Sequence, residues 1–322
     1  MAVSVAELER AAALGWRGTE ESRLGEWLLR AGGGFTGRAN SALAVGSPGM
    51  PLAEAVDRVA GWYGARGLPA MVAVPYPLGG PEGDAVDRFL AEAGWGIRSG
   101  GATVMTAIPG VVAGRADTIG VTVRVDPEPD EAWLGMYHYR GTSVPVGARQ
   151  ILMSAPWQRF GVVRKDRQVI AIGRVAVADG WAGLTAVEVH PRHRRRKLAT
   201  AVTAALAACA AERGAAGLYL QMEDDNVAAR ALYHKLGFSD HHRYHYRVAP
   251  GGKPLIVDNH LQPRFPPGSG SGSERSRSPP VRTFEAVRCS VECVAHGAGD
   301  SGQAVENPCD DVAPLRRLVR LG

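Results

Sequence analysis

Two hydrophobic rhythms alternate along the chain and predict its elements. In the second part, apolar residues recur at every other position, or run unbroken, over 121–125, 159–163, 169–177, 182–189, 217–223 and 242–248, the signature of strands. Between them, spacing of three and four predicts helices over 130–139, with an Asp near its N-cap, over 147–153, and over 198–212. Leu198, Val202, Ala205/Leu206 and Cys209 form the core-facing stripe of the long helix, so Cys209 reads as a small buried hydrophobe. A further helix begins at Asn226 and stops at Gly237, with Ala228, Ala231, Leu232 and Lys235/Leu236 as its buried stripe. Asn226 and Tyr233, seven apart, then share one face beside that stripe. The order is strand, two helices, three strands, helix, strand, helix, strand, with the last strand closing the sheet.

The first 110 residues repeat part of this order. Stretches 23–30 and 35–45 read as strands around Gly32-Gly-Gly34. A helix follows over 51–67, then a strand over 70–74, a helix over 84–94 and a strand over 102–108. Both halves hold a short amphipathic helix closed by Gly and an aromatic residue (Gly94-Trp95, Gly237-Phe238) and followed by a strand. From residue 250 onward, Pro, Gly, Ser and Arg dominate and no periodicity survives, so 251–322 is expected to be a disordered tail. Its Cys289, Cys293, His296 and Cys309 match no common zinc spacing, and no metal site is expected.

The chemistry concentrates at one junction. The strand ending in Glu188-Val189-His190 runs into Pro191-Arg-His-Arg-Arg-Arg-Lys197, and an Ala-rich helix begins directly after it. Cations at a helix N-terminus oppose the dipole by about 0.3–1 kcal/mol each, unless an anion sits on the free N–H groups of the first turn. A charge run alone would equally suit a nucleic-acid patch. The second motif, Asn226-Val-Ala-Ala-Arg-Ala-Leu-Tyr-His-Lys-Leu-Gly-Phe238, favours the anion site.

With both motifs in register, residues 119–249 resemble the GCN5-related N-acetyltransferases. In that family Arg or Gln, two spacers, Gly, a spacer, and Gly or Ala cradle the diphosphate of coenzyme A. Here Arg194 and Ala199 fill the outer positions, and Lys197 stands where Gly is usual. The resemblance implies an α/β (α+β) fold, a central mixed and mostly antiparallel sheet flanked by helices. It divides the chain into a degenerate copy over 1–115, a catalytic domain over 116–250 and the tail. The leading half resembles that of two-domain actinobacterial acetyltransferases through Phe35-Thr-x-Arg38-x-Asn40-Ser41, a polar cluster that either faces an acceptor or ties off a strand end.

The resemblance further implies acetyl-CoA as co-substrate, a small-molecule or protein amine as acceptor, and acyl transfer by direct attack. The pantetheine would lie along Val187 and Val189, and the diphosphate on Arg194, Arg195, Arg196, Lys197, Leu198 and Ala199. Asn226 would add a cofactor contact, and Tyr233 would protonate the leaving thiolate. Glu188 is the first candidate for the base, His190 the second and Glu223 the third. The alternative is a non-catalytic acyl-CoA-binding regulatory module.

Composition narrows the setting. The net charge of +5 is modest and largely resides in the basic run, which argues against a general nucleic-acid binder. No apolar run approaches the roughly 18–20 residues that span a bilayer. The polar N-terminus and four cysteines without a Cys-x-x-Cys pair point to the cytoplasm.

Overall fold

The computed structural model describes residues 3–80, 85–98, 100–115, 121–137, 144–145 and 147–251. The tail and its cysteines lie outside the described residues.

Ser4 opens α1 (Val5–Gly15) with a capping box, its hydroxyl accepting from the Glu7 N–H while the Glu7 carboxylate accepts from the Ser4 N–H. Strands β1 (Glu20–Leu24) and β2 (Trp27–Ala31) form a hairpin turned at Gly25, whose φ of +57° suits glycine. The strand expected over 23–30 therefore spans the end of β1, the turn and most of β2. The next expected strand, 35–45, is instead irregular with a 3₁₀ turn at Arg38–Asn40, leaving only β3 (Ala42–Leu43). Asn40 causes this: its side chain accepts from the N–H groups of Gly32 and Gly34 and donates to the carbonyls of Phe35 and Thr36. Asn40 thus braces the glycine loop, the strand-end alternative for that polar cluster.

The half continues through α2 (Leu52–Gly64), β4 (Met71–Pro77), α3 (Ala85–Glu92), β5 (Gly96–Ile97) and β6 (Ala102–Ala107). A short helix that the pattern did not reveal, α4 (Pro109–Gly114), follows. The second half is β7 (Arg124–Asp126), α5 (Glu131–Met136), α6 (Ala148–Leu152), β8 (Trp157–Lys165), β9 (Gln168–Ala178) and β10 (Trp181–Val189). It ends with α7 (Leu198–Glu212), β11 (Gly217–Glu223), α8 (Val227–Leu236) and β12 (Ser239–Val248), in the order expected from the sequence.

Among the described residues, all twelve strands belong to one mixed sheet, ordered β1-β2-β3-β4-β12-β6-β11-β10-β9-β8-β7, with β5 pairing the end of β12. The last strand does not close an edge, as the sequence suggested. It lies between β4 and β6, while β6, from the first half, lies between β12 and β11. Each half thus lends its final strand to the other.

Cross-strand alternation assigns two faces. Leu218, Leu220 and Met222 of β11 join α7, α8 and α4 in one core, while Tyr219 joins α1 on the opposite face. That opposite face also carries α5 and α6, packed on Phe160, Val162, Ile172 and Ala186.

Candidate functional site

Strands β10 and β11 run parallel and are paired only from Trp181–Gly217 to Leu184–Leu220. Beyond that point both continue, β10 to Val189 and β11 to Glu223, with no ladder between them. The sheet is open there as a slit. A bulge in β10 sits at its mouth: Thr185 pairs with Arg174 and Glu188 with Ile172, so Ala186 and Val187 together face Gly173. Ala186 takes the extra turn in the left-handed region, at φ +53°. A side chain at position 173 would not fit, because a Cβ there would stand 2.5 Å from the Val202 Cγ1 on α7.

The bulge shifts the alternation of β10 by one. Leu184 and Val189 both belong to the α7 core, whereas Ala186 packs with α5 and α6. Glu188, paired with Ile172, is half-buried on the α5/α6 face, and its charge reaches the buried Tyr137 phenol. Burial first, with Glu188 adding to it, pushes that phenol up to about 12. The sequence expected Glu188 to face away from Val187 and Val189, and the register agrees.

The strand then enters a 3₁₀ turn, Pro191–His193, where His190 Nδ1 accepts from the Arg192 N–H at 3.3 Å. The ring of the second candidate base is therefore occupied in capping this turn. Arg195 and Lys197 both adopt left-handed backbone, at φ +59° and +57°. Lys197 is the N-cap of α7 and provides no side-chain cap, and the first turn of the helix holds no acid. Among the described residues, Arg192, Arg194, Arg195 and Arg196 have no carboxylate partner, and Arg194 Nε is buried without a hydrogen bond. Burial, then the positive charge of Arg196 and its neighbours, holds His193 below the ordinary histidine range. These free donors and uncompensated cations fit the diphosphate of coenzyme A.

Across the sheet, α8 is rotated from the stripe expected of it. Ala229, Tyr233 and Leu236 are buried, with Leu232 half-buried, whereas Ala228, Ala231 and Lys235 are exposed. Alanine packs on either side of a helix, so the pattern of small residues left the phase open. Tyr233 lies within the core, 1% exposed, in edge-to-face contact with Phe238 and among Leu184, Val189 and Met222. Burial alone raises its phenol well above the ordinary tyrosine range. Asn226 is the N-cap of α8, accepting from the Ala229 N–H at 3.1 Å. The third candidate base, Glu223, is 7% exposed at the end of β11. Leu198 is buried and Ala199 half-buried at the start of α7.

Glu188 and Tyr233 thus stand on opposite faces of the sheet beside the slit. Two features were not anticipated: the bulge, and the Arg38 guanidinium, which crosses from the first half to donate to the Gln221 Oε1 on β11 at 2.8 Å. Arg38 was singled out in the sequence, but nothing local announced Gln221 as its partner. No group of residues able to hold a metal ion occurs among those described. Nor is any described helix long and apolar enough to cross a membrane.

Comparison with known proteins agrees with this geometry. Residues 3–247 match the family model described as "Probable histone acetyltransferase Rv0428c C-terminal". An uncharacterized N-acetyltransferase, YobR, from Bacillus subtilis is 29% identical over 249 residues, covering 76% of this chain and 98% of the relative. The probable histone acetyltransferase Rv0428c of Mycobacterium tuberculosis is 29% identical over 252 residues, covering 76% and 74% respectively. A GCN5-related N-acetyltransferase from Kribbella flavida superposes with a TM-score of 0.60 at 20% identity, over 80% of this chain and 100% of the other. A tandem GNAT protein from the clavulanic acid biosynthesis pathway shares the fold at a TM-score of 0.53 and 16% identity, over 77% and 89%. The family match spans nearly all the described residues, and the chain belongs to that family: it is a GCN5-related N-acetyltransferase, an acyltransferase of the fold that uses acetyl-CoA as co-substrate.

Proposed function

We propose that the protein acetylates a primary amine by direct attack on acetyl-CoA, with Glu188 as base and Tyr233 as acid. The observation that carries this reading is the slit between β10 and β11, which has a carboxylate on one face, a buried phenol on the other and the basic turn at its end. Acetyl-CoA supplies a thioester-activated acetyl group. The β11-facing edge of β10 at Val187 and Val189 is suited to hold the pantetheine arm like an added strand. Arg194, Arg195, Arg196 and Lys197 neutralise the diphosphate, and the N–H groups of Leu198 and Ala199 donate to it. Asn226 fixes the start of α8 and so the placement of Tyr233, two turns on.

An ammonium has no lone pair to attack with, so the amine must first lose a proton. Glu188 takes it, directly or through one water, on the face opposite α7. Tyr233, kept protonated by its burial, gives its proton to the departing thiolate. The acceptor class embraces small-molecule amines and protein amino groups, the latter in keeping with the name of the mycobacterial relative.

The test is calorimetric titration with acetyl-CoA, then a thiol-release assay over a panel of amines. Glu188→Gln should lower turnover by roughly 10²–10⁴-fold with acetyl-CoA affinity preserved. Unchanged turnover in that variant would remove Glu188 from the role, and absence of thiol release with every amine would remove the reaction.

A further inference from the structure

Strand β12 carries a bulge of its own, opposite β6: Asp240 pairs with Met105 and His242 with Val104, and His241 is skipped. A regular strand sends neighbouring side chains to opposite faces, and the bulge instead brings two consecutive imidazoles together. The rings meet edge to face, 5.0 Å between centroids, with their Nδ1 atoms 2.8 Å apart. Each ring also uses its other nitrogen. His241 Nε2 lies 2.9 Å from the Val3 carbonyl, just ahead of α1, and His242 Nε2 lies 2.9 Å from the Glu9 Oε1 within α1. His242 is fully buried and His241 half-buried, so solvent reaches this row of bonds through His241.

These contacts fix the number of protons. A carbonyl only accepts, so His241 Nε2 carries a hydrogen. Two ring nitrogens 2.8 Å apart share a single hydrogen, because two lone pairs repel and two N–H groups collide. The link to Glu9 holds one more. Three hydrogens are therefore needed, whereas two neutral imidazoles beside a carboxylate supply two. Arg30 and Arg38 line the small pocket beyond Glu9 and favour its ionised form, so the third hydrogen resides on the rings. The other charged neighbours are engaged elsewhere: Glu7 with Ser4, Arg10 with Glu26, Asp240 with Arg230 and Arg243 with Asp224. Beside His242 in the sheet stand Pro77 of β4 and Val104 of β6, which do not titrate. The phenols of Tyr219, Tyr244 and Tyr246 on this face are pushed up by burial and stay protonated.

We propose that Glu9, His242 and His241 form a pH-gated latch that holds α1 on the sheet while the three side chains share three protons, and that weakens when one is lost or a fourth is added. The latch acts on the slit through the far end of α1. There the Gly15 carbonyl accepts from Arg174, which also donates to Thr185, the residue ahead of the bulge in β10. In the unfolded chain the same three groups hold two protons on the alkaline side of a free imidazole's value, about 6.5, and four on its acid side. Above that value the folded state binds more protons, so docking of α1 weakens as the pH rises. Below it the unfolded state binds more, so docking weakens as the pH falls.

The test is amide hydrogen exchange of α1 in the full chain between about pH 5 and 9, read as protection factors, together with nitrogen NMR of the imidazoles. Protection should peak near about pH 6.5 and fall by up to about tenfold per pH unit on either side. At the peak, three of the four ring nitrogens of His241 and His242 should carry a hydrogen. Glu9→Gln supplies the third hydrogen from its amide and leaves both rings neutral, so its alkaline fall should vanish and its acid fall remain. His241→Phe leaves His242 to pair with Glu9 as an imidazolium, so its acid fall should vanish and its alkaline fall remain. Two or four protonated ring nitrogens at the peak, a wild-type profile flat with pH, or a Glu9→Gln profile parallel to that of the wild type would overturn the proposal.

Discussion

Expressing residues 116–251 alone removes more than a neighbouring domain. Strand β12 loses β4, to which it is laddered from His242–Pro77 to Val248–Met71, and β6, to which it is laddered from Ser239–Thr106 to Tyr244–Ala102. Strand β11 loses β6 as well, from Leu218–Ala107 to Glu223–Ala102. At a net 0.5–1.5 kcal/mol per hydrogen bond, these three ladders amount to on the order of 10 kcal/mol or more. A whole domain is typically stable by only about 5–15 kcal/mol. The fully buried Met105 of β6 leaves the core around Leu220 and Met222, and the fully buried Val104 leaves the core around Tyr219 and Tyr244 on the other face. We therefore expect either half alone to be unfolded or aggregated by circular dichroism and size exclusion, and the two halves co-expressed to associate and recover acetyl-CoA binding. A soluble, monomeric 116–251 fragment that melts cooperatively and binds acetyl-CoA as the full chain does would refute the reasoning.

Tyr233→Phe should lower turnover roughly 10- to 10⁴-fold while leaving acetyl-CoA affinity intact; unchanged turnover where chemistry limits the rate would exclude the acid role. Lys197→Gly should hold or raise the melting temperature, because relief of about 1–2 kcal/mol of left-handed strain exceeds the roughly 0.5–1 kcal/mol of backbone entropy that glycine adds; a lowered melting temperature would show that position 197 stores no such strain. Asp87 is 6% exposed and bonded to His245 at 2.6 Å and to Arg247; against the opposing effect of burial, those bonds hold its carboxyl below the usual 3.8. Its folded value is depressed, so its contribution is present above about pH 4 and fades as the pH falls below that. Asp87→Asn should then cost about 3 kcal/mol at neutral pH, with a smaller gap to the wild type near pH 3, measured by urea titration; a gap independent of pH would show that the charge is immaterial.

The element order of residues 121–248 was legible because it rests on local signals: alternation in the strands, Asn226 and Gly237 at the ends of α8, and the basic turn before α7. Gly237 takes φ +99° as the C-cap, as its position implied. Lys197 could be read as a departure from the family's glycine, but its retention of a glycine-like φ could not. Strand exchange left no local trace, since β6 and β12 have the same alternation whichever neighbour they pair. The phase of α8 failed for a different reason: a helix rich in alanine defines its buried side through partners such as Met222 and Phe238. The open length of β10 depends on the bulge at Ala186, which an unbroken apolar run conceals.

The exchange also fixes a timetable for the chain as it is made. Strand β4 ends at Pro77, and the partner that belongs beside it ends at Val248. At synthesis rates of about 5–20 residues per second, that partner follows roughly 10–30 s later. Hairpin pairing takes only microseconds, so the first half waits with β4 at the open edge of the β1–β4 sheet and with β6 lacking both of its neighbours, β11 and β12. Those edges can add any extended segment that offers itself, including the same strands of a second nascent chain. Yield on expression should therefore depend on translation speed and on chaperones that shield strand edges more steeply than the stability of the finished molecule would suggest.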